Sequence, residues 1–339
     1  MTCLLNQLNN LQSILVTGGA GYIGSVLTRK LVKLGFKVRV LDSLIFSKRG
    51  ISDLISDNSI ELIIGDIRNQ KAVLESIKEI DCVIHLAAIV GDPLCGKIPK
   101  AARQINYLGT KNLIDLCRSS CVRRFIFAST CSNYGSSSTI VDEKNDVNPL
   151  SLYAETKILS EQYVLDSKNE NFEPCVLRFA TAFGISPRMR FDLLLQEFIR
   201  DAVIDKKISV YGPDYWRPLI HVDDIANACI ATINGSRELI SGEIYNVGDN
   251  NQNHTKLELA KMVQKYIPET KIEIQESKKD LRNYKVSFDK ITNNLRFKIT
   301  KTVEEGIQEI VDKIQNNQLD PIDSDFSNLS KLTENVKVY

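Results

Sequence analysis

The sequence predicts an α/β fold in which a doubly wound parallel sheet carries a smaller, mostly C-terminal lobe. Through the first half of the chain, short β-rich runs alternate with longer segments of helical periodicity. The runs are apolar on both faces, as expected of parallel strands that are covered by helices and joined by right-handed crossovers. After about Phe183 the alternation fails, which marks the start of the second lobe.

The order of the predicted elements sets the domain boundaries. The strands of the first lobe are SILVT, KVRVLD, IELIIGD, DCVIHLAA, RRFIFAST and CVLRFA, and its helices lie near 24–34, 70–79, 99–119 and 151–167. We expect residues 1–182 to form this sheet domain, with elements returning to it near 218–250. The smaller lobe covers 183–315, with helices near 191–204, 223–233, 256–266 and 302–313 and the short strand EIYNVG. The segment 316–339, rich in Asn, Asp and Ser, is predicted to be a peripheral tail.

The composition excludes several classes of protein. Of the 339 residues, 43% are hydrophobic and 25% charged, which is typical of a globular protein. The 43 basic and 42 acidic residues nearly cancel, so no general attraction to nucleic acid or an anionic membrane is expected. The longest apolar runs fall short of the roughly 20 residues of a membrane span. The eight cysteines lack CxxC spacing and the three histidines lie far apart, so we expect reduced cysteines, a cytoplasmic protein and no metal site.

A glycine-rich turn follows the first strand in the segment TGGAGYIGS, Thr17 to Ser25. Gly18, Gly21 and Gly24 allow a tight turn, a close approach of backbone N–H groups to a pyrophosphate, and close packing of helix on strand. A tight turn that binds nothing is the alternative. The position between a first strand and a helix favours the dinucleotide-binding, or Rossmann, form of the doubly wound fold.

Acidic residues at two strand ends refine the choice of cofactor. Asp42 ends the second strand, where a carboxylate accepts hydrogen bonds from the ribose 2′-OH of NAD and repels the 2′-phosphate of NADP. NAD is therefore the expected cofactor, although Lys48 and Arg49 follow closely and could soften the preference. Asp66 follows the third strand, where it either reads an adenine edge or caps a helix.

Tyr153 and Lys157 in SLYAETKILSEQY are four residues apart and lie on one helix face. A free phenol titrates near 10, so its use as a base at neutral pH requires about three pKa units, or roughly 4 kcal/mol. An ammonium at about 4 Å supplies that order of energy at an effective dielectric near 20. Together with a positive nicotinamide ring, Lys157 would make Tyr153 a usable base. An ordinary surface pair is the alternative for an isolated YxxxK.

The polar stretch ASTCSNYG, Ala128 to Gly135, follows the buried run RFIF. If the helix starting near Ser151 packs beside this strand end, Thr130 and Tyr153 face the same reacting hydroxyl. With these residues the chain resembles the extended short-chain dehydrogenase/reductase family of NAD-dependent nucleotide-sugar epimerases and dehydratases. The shared motifs are TGGAGYIG, Asp66-Ile67, HLAA, the Asn of QINYLGT, STCSNYG, YAETK and RPLIHVDD.

The resemblance implies NAD held through a catalytic cycle, hydride removal from a sugar carbon, usually C4, and a keto-sugar intermediate. It assigns Thr130 to orienting the sugar hydroxyl, Tyr153 to the base, and Lys157 to binding the nicotinamide ribose and lowering the tyrosine pKa. The implied cofactor-binding residues are Gly18, Gly21, Tyr22, Ile23, Gly24, Asp42, Asp66, Ile67, Leu86, Ala87, Ala88, Asn106, Ser129, Tyr153 and Lys157. It also implies a homodimer through the helices near 99–119 and 151–167.

Departures from the family pattern narrow the chemistry. The 4,6-dehydratases of the family carry an Asp-Glu acid pair where this chain has Cys131 and Ser132. Neither is a proton donor of the same strength, so ordinary dehydration is disfavoured and an enzyme that only moves hydride is favoured. Cys131 is either a catalytic acid or a packed thiol.

Because the net charge provides no anion site, a substrate diphosphate requires positioned arginines. Arg188 and Arg190, Arg217, and Arg282 lie in three candidate segments, and a surface salt bridge is the alternative for each. The resemblance places Arg217, Arg282 and Tyr284 near the diphosphate. The predicted substrate-binding set is Ser132, Thr181, Arg190, Arg217, Arg282 and Tyr284.

Three functions are compatible with these residues. The first is oxidoreduction at C4 of a nucleoside-diphosphate sugar, as a 4-epimerase or 4-dehydrogenase in surface polysaccharide or glycan precursor synthesis. The segments ISPRMRFDLL and DLRNY also resemble nucleotide-heptose 4-dehydrogenases, so the sugar is a hexose or a heptose. The second is a dehydratase that uses Cys131 and Ser132. The third is a non-catalytic NAD(H)-sensing protein, which is disfavoured because Tyr153 and Lys157 are both present.

Overall fold

The computed structural model describes residues 11–276 and 281–328. The strands are β1 Ser13–Thr17, β2 Lys37–Asp42, β3 Glu61–Ile64, β4 Cys82–His85, β5 Arg124–Thr130, β6 Ser136–Val141, β7 Glu173–Phe179, β8 Thr181–Phe183, β9 Lys207–Tyr211, β10 Trp216–His221, β11 Glu243–Val247, β12 Asn253–Thr255, β13 Lys271–Gln275 and β14 Asn283–Val286. The α-helices are α1 Tyr22–Lys33, α2 Ser52–Ser56, α3 Gln70–Ser76, α4 Asp92–Lys97, α5 Pro99–Arg103, α6 Thr110–Arg118, α7 Leu152–Asp166, α8 Leu194–Ile204, α9 Val222–Asn234, α10 Arg237–Ile240, α11 Lys256–Tyr266, α12 Asp289–Leu295 and α13 Val303–Gln315.

A seven-stranded parallel sheet forms the centre of the fold, in the order β11-β7-β5-β4-β1-β2-β3. The chain runs outward from β1 through β2 to β3, and then crosses back to β4 on the other side of β1. This reversal is a topological switch point, where the carboxyl ends of neighbouring strands open a crevice for a ligand. The doubly wound α/β fold that the sequence predicts is confirmed.

The sheet is buried on both faces because successive side chains of a strand point in opposite directions. In β1, Ile14 and Val16 pack in one hydrophobic cluster and Leu15 in the other, and all three are fully buried. In β5, Ile126 joins the first cluster, whereas Phe125 and Phe127 join the second. This double burial explains the unbroken apolar runs of the sequence.

The helix predicted near 99–119 is continuous but not uniformly α-helical. Between α5 and α6 the segment Gln104–Gly109 forms a π-helical turn. The wider turn contains Asn106, whose side chain is buried. Short π-helical insertions of this kind are found mostly near functional sites.

The second lobe is built from small sheets that bring distant segments to the cavity. Strand β10 lies between β8 and β12, and β14 pairs with β6. The backbone N–H of Asn283 donates to Gly135 at 3.0 Å, and its side chain accepts from Trp216 N at 2.9 Å. These bonds place Arg282 beside the segment that follows β5. Strand β11 returns to the central sheet next to β7.

The C-terminal segment differs from the peripheral tail that its composition predicts. Phe326 is buried, its ring lies 6.4 Å from that of Phe191, and its carbonyl accepts from Phe191 N at 2.8 Å. Polar composition alone did not reveal this anchor, because Phe326 is one aromatic residue among polar neighbours. The rest of the predicted tail, residues 329–339, lies outside the described residues.

Two further expectations concern membrane spans and disulfides. Across the described ranges, no helix is both long enough and apolar enough to cross a membrane. The cysteines within these ranges form no disulfide; Cys121 is exposed, and Cys82, Cys95, Cys117, Cys131, Cys175 and Cys229 are buried.

Candidate active site

The glycine-rich turn lies at the switch point between β1 and β4. Gly18 has φ of +73°, and a Cβ there would lie 2.8 Å from Ala87 N. A Cβ on Gly24 would lie 2.1 Å from the Gly18 carbonyl oxygen. Gly18 has a left-handed backbone conformation that disfavours other residues. At Gly24 the helix lies so close to the turn that there is no room for a side chain.

The start of α1 supplies the donors that a pyrophosphate requires. Gly21 is the N-cap residue, and no side chain caps this helix end. The N–H groups of the first turn have no intrahelical acceptor, and they carry the positive end of the helix dipole. Tyr22, Ile23 and Gly24 line a cavity of about 510 Å³ at this point. The turn therefore fits the diphosphate of a dinucleotide.

The carboxylates of Asp42 and Asp66 line the same cavity beyond the glycine turn. Asp42 accepts hydrogen bonds from Leu44 N at 2.8 Å and Ala20 N at 3.0 Å, and burial raises its pKa. Asp66 forms an ion pair with Arg68 at 2.6 Å, while Asn69 is the residue that caps α3. The helix-cap alternative for Asp66 is therefore wrong.

The walls between these carboxylates and α7 are formed by the other predicted cofactor residues. Ile67, Leu86, Ala87, Ala88 and Ser129 line the cavity together with Gly18, Gly21, Tyr153 and Lys157. The cavity thus has an acidic end suited to a ribose, a donor-rich middle suited to a diphosphate, and an end with a phenol and an ammonium. NAD has matching groups in the same order along its length, and these residues could hold it.

Tyr153 and Lys157 are positioned by the first turn of α7. Ser151 caps the helix by accepting from Ala154 N at 3.2 Å and donates its own proton to Asp92 at 2.6 Å. The buried Lys157 ammonium donates to the Ala128 carbonyl at 2.8 Å and lies 4.6 Å from the Phe127 ring centroid. Both side chains line the cavity at the end of β5.

Burial is the main influence on the electrostatics of this pair. Burial raises the pKa of Tyr153, and the charge of Asp92 acts in the same direction, whereas Arg190 and Arg282 oppose it. Burial also lowers the pKa of Lys157 to about 8, so its ammonium keeps its charge at neutral pH. Additional positive charge beside Tyr153 would oppose this effect of burial and favour the phenolate.

The residues after β5 divide between the cavity and the core. Thr130 and Ser132 line the cavity, and the Thr130 hydroxyl oxygen accepts from Ser132 N at 3.1 Å. The Cys131 thiol is buried among core residues and donates to the Arg178 carbonyl at 3.2 Å. Burial raises the Cys131 pKa. Cys131 does not line the cavity, so the prediction that it could act as a catalytic acid is wrong.

Behind this turn lies a buried ion pair that sequence reasoning missed. Arg178 of β7 and Glu161 of α7 form an ion pair at 2.7 Å, with both side chains 5% exposed. Glu161 also accepts from Asn133 at 2.8 Å and from Ser129. Arg178 donates to Tyr134 at 3.0 Å. The serine, amide and phenol of ASTCSNYG therefore fix the backbone that presents Thr130.

The signal for this pair in the sequence is Arg178, a charged residue within the apolar run CVLRFA of a core strand. Glu161 lies four residues after Lys157, on the same face of α7, and so points to the same strand ends. Neither residue alone indicates its partner.

Asn106 lies behind the cavity wall and does not line it. Its amide donates to the Ile89 carbonyl at 2.9 Å and accepts from Ile89 N at 2.8 Å. Ile89 lines the cavity. The prediction that Asn106 contacts the cofactor is corrected, because both ends of its amide are used to hold this loop.

The predicted substrate residues are brought together with one exception. Ser132, Thr181, Arg190, Arg282 and Tyr284 line the cavity. The hydroxyls of Ser132 and Tyr284 are 3.3 Å apart, and Arg282 forms an ion pair with Asp92 at 2.9 Å. Arg190 forms an ion pair with Asp192 at 2.8 Å.

Arg217 is the exception. It is 3% exposed and does not line the cavity. Its guanidinium donates to the carbonyl of Trp216 at 2.7 Å and to that of Arg282, and its Cζ lies 5.8 Å from the Tyr284 ring centroid. The prediction of a direct diphosphate contact is corrected to support of the Arg282 backbone.

His85, at the start of HLAA, is held neutral beneath the cavity. Its Nδ1 is 2.6 Å from the Thr17 hydroxyl and its Nε2 is 2.8 Å from the Thr110 hydroxyl. Thr110 donates its proton to the Asn106 carbonyl, so Nε2 of His85 must be the donor and Nδ1 the acceptor. Burial lowers the pKa of His85 to about 3.

This buried imidazole makes the stability of the protein depend on pH. The folded pKa lies below the unfolded value near 6.5, so the unfolded chain binds the extra proton as the pH falls. We expect His85 to lower the free energy of unfolding by about 2 kcal/mol between pH 7 and pH 5. Urea denaturation of the wild type and His85→Gln at both pH values measures it. Equal pH dependence in the two proteins would contradict the assignment.

A dinucleotide cradle that shares one cavity with a phenol and an ammonium is typical of a class of NAD-dependent enzymes. The chain belongs to the NAD-dependent epimerase/dehydratase family, whose model matches residues 14–248. Its cofactor is NAD, and its family consists of nucleotide-sugar epimerases, dehydratases and decarboxylases.

Individual relatives differ in the reaction that their names state. The chain is 29% identical over 316 residues to a putative UDP-glucose 4-epimerase of Methanocaldococcus jannaschii, covering 90% of this chain and 99% of the relative. It is 28% identical to UDP-glucuronic acid decarboxylase 1 of Danio rerio, covering 80% and 67%. The crystal structure of UDP-glucuronic acid 4-epimerase from Bacillus cereus, in complex with UDP-glucuronic acid and NAD, matches with a TM-score of 0.81 at 26% identity, covering 90% and 99%.

Proposed function

We propose that this protein oxidises C4 of a nucleoside-diphosphate sugar and returns the hydride to the opposite face, as a 4-epimerase. The observation that carries the proposal is the make-up of the cavity around Thr130, Tyr153 and Lys157. Among the lining residues of the described ranges, the acidic side chains are Asp42, the last residue of β2, and Asp66, which follows β3. Three strand spacings, roughly 14 Å, separate β5 from β2. This make-up supports a site that transfers hydride over one that eliminates water.

Each residue has a role in this reaction. Tyr153 takes the proton of the C4 hydroxyl, Thr130 orients that hydroxyl, and Lys157 contributes its ammonium charge beside the ribose. When bound, NAD supplies the hydride acceptor and a positive ring charge. That charge opposes the effect of burial on the pKa of Tyr153. Return of the proton from Tyr153 to C4 oxygen completes epimerisation.

The remaining cavity residues bind the rest of the substrate. Arg282 donates to the diphosphate, while Ser132 and Tyr284 contact the sugar side of the same wall. Arg190 and Thr181 also line the cavity and complete the substrate-binding set. The substrate-binding lobe thus contributes Arg190, Arg282 and Tyr284 to the substrate site, and the sheet domain contributes Ser132 and Thr181.

A 4-dehydrogenase that releases the keto sugar is the second candidate, because the same residues perform its first half-reaction. The resemblance of ISPRMRFDLL and DLRNY to heptose 4-dehydrogenases supports it. The 4-epimerase names of two relatives support the first candidate. Either activity would act in glycan or surface polysaccharide precursor synthesis within the cytoplasm.

A homodimer through α5, α6 and α7 accompanies the proposed function. Leu108 in the π-helical turn is 53% exposed, and Leu159 in α7 is 42% exposed. Apolar side chains exposed on neighbouring helices favour a protein contact.

The decisive experiment is a product screen with the purified protein. UDP-, GDP- and dTDP-linked glucose, UDP-glucuronic acid and nucleotide heptoses are incubated with it, and products are identified by mass spectrometry and proton NMR. We expect an isomer of unchanged mass that is inverted at C4. A product lighter by two hydrogens would establish the dehydrogenase instead. Loss of water or carbon dioxide would contradict both proposals.

A further inference from the structure

Three segments meet at the end of the cavity that contains Asp42. The C-terminal segment is tied to the loop after β2 by the ion pair of Arg49 with Asp323 at 2.6 Å, and the Arg49 guanidinium lies 5.0 Å from the Phe326 ring centroid. Phe326 is joined to the segment before α8 through Phe191. The C-terminal segment is therefore fixed to both walls of this end of the cavity.

Arg188, in the segment before α8, is a buried cation in which two nitrogen atoms lack a hydrogen-bond partner. It is 2% exposed, it lines the cavity, and its Nε and Nη2 atoms have no hydrogen-bond partner. Its guanidinium lies 5.1 Å from the ring centroid of Phe46, which also lines the cavity after β2. Burial lowers the pKa of Arg188 to about 10, so it is charged at neutral pH. Burying such donors unpaired is costly, which points to a ligand as their partner.

Asn328, at the end of the described C-terminal segment, is also a buried polar side chain with an unpaired atom. It is 3% exposed, it lines the cavity, and its Oδ1 has no hydrogen-bond partner. A Cβ on Gly50 would lie 2.9 Å from the Arg188 Cβ, so Arg188 lies against the segment that follows β2 and Asp42. An acceptor carboxylate, a donor guanidinium and an amide thus face one end of the cavity.

We infer that Arg188 and Asn328 bind the adenosine ribose and its phosphate, and that the C-terminal segment clasps NAD in its site. Asp42 accepts from the ribose hydroxyls, so the ribose and phosphate oxygens are left for the guanidinium of Arg188. The Oδ1 of Asn328 accepts the remaining adenosine donor. The clasp retains the cofactor while the substrate exchanges. NAD is already established as the cofactor, so this inference does not require the proposed C4 chemistry.

The test is direct binding of NAD and ADP-ribose, which share the adenosine and diphosphate moieties. Isothermal titration calorimetry of Arg188→Gln and Asn328→Ala is expected to show Kd values raised at least tenfold for Arg188→Gln and about fivefold for Asn328→Ala. The factor should be the same for both ligands. Arg103→Gln, an exposed arginine paired with Glu155, is the matched control and should bind like the wild type.

A second variant tests the clasp itself and does not alter a ligand contact. Phe326→Ala loosens the C-terminal segment, and we expect it to raise the rate of NAD release at least tenfold in stopped-flow displacement. Circular dichroism confirms that each variant is folded. Wild-type Kd values in folded Arg188→Gln, or a loss for NAD without a loss for ADP-ribose, would overturn the inference. Unchanged NAD release in folded Phe326→Ala would overturn the clasp.

Discussion

Tyr153→Phe is expected to lower kcat by about 10²–10⁴-fold, the range of a lost general base. The variant keeps the ring that packs in the cavity and removes the oxygen that takes the C4 proton. The end of α7 that contains Tyr153 is held by Ser151, which accepts from Ala154 N and donates to Asp92, and the substitution leaves these contacts in place. NAD affinity should therefore change little, while turnover collapses.

The measurement is steady-state kinetics on the substrate identified by the product screen, with NAD affinity measured separately. Tyr163→Phe is the matched control, since Tyr163 lies on the same helix and donates to Asp115 at 2.5 Å on the surface. It should retain wild-type kcat. Near-normal turnover of Tyr153→Phe would remove this residue from the mechanism.

Breaking the buried ion pair of Glu161 and Arg178 should give the largest loss of stability. Glu161→Gln leaves the guanidinium without a countercharge in the core, and removal of one partner of such a pair typically costs about 3–5 kcal/mol. That is a large share of the roughly 5–15 kcal/mol by which proteins are stable. Because Glu161 also holds Ser129 and Asn133, the turn that presents Thr130 should loosen as well.

Urea denaturation measures the free energy of unfolding of each variant. The double variant Glu161→Leu with Arg178→Met removes both charges, and we expect it to be more stable than Glu161→Gln. Glu269→Gln is the control, because its ion pair with Lys206 is about half exposed on both sides and should contribute less than about 1 kcal/mol. If Glu161→Gln lost no more than this control, the buried pair would have no structural role.

Most of the dinucleotide site was predictable from sequence because its signals are local. The turn from Gly18 to Gly24, Asp42 at the end of a strand, and Tyr153 with Lys157 four residues later all depend on the chain's own periodicity. Parallel strands place their carboxyl ends at one edge of the sheet, so residues at those ends converge in space.

Residues at the margins of the site were predicted less well. Asn106 and Arg217 lie one layer behind the cavity, where they bind the backbone of Ile89 and Arg282. Sequence motifs show that such residues belong near a site, but not whether they face the ligand or support a residue that does. Burial and the direction of each side chain decide that difference.

The sequence alone therefore determined the fold class, the glycine-rich turn, the cofactor and the phenol–ammonium pair. Tertiary structure decided that Thr130 faces the cavity while Cys131 faces the core, that Glu161 and Arg178 pair beneath them, and that Asn328 returns to the Asp42 end. The physical reason is that the periodicity of a strand or helix determines only which residues close in sequence share a face. Ser132 and Tyr284 are in contact although they are 152 residues apart. Contacts at such separations follow from how whole elements pack.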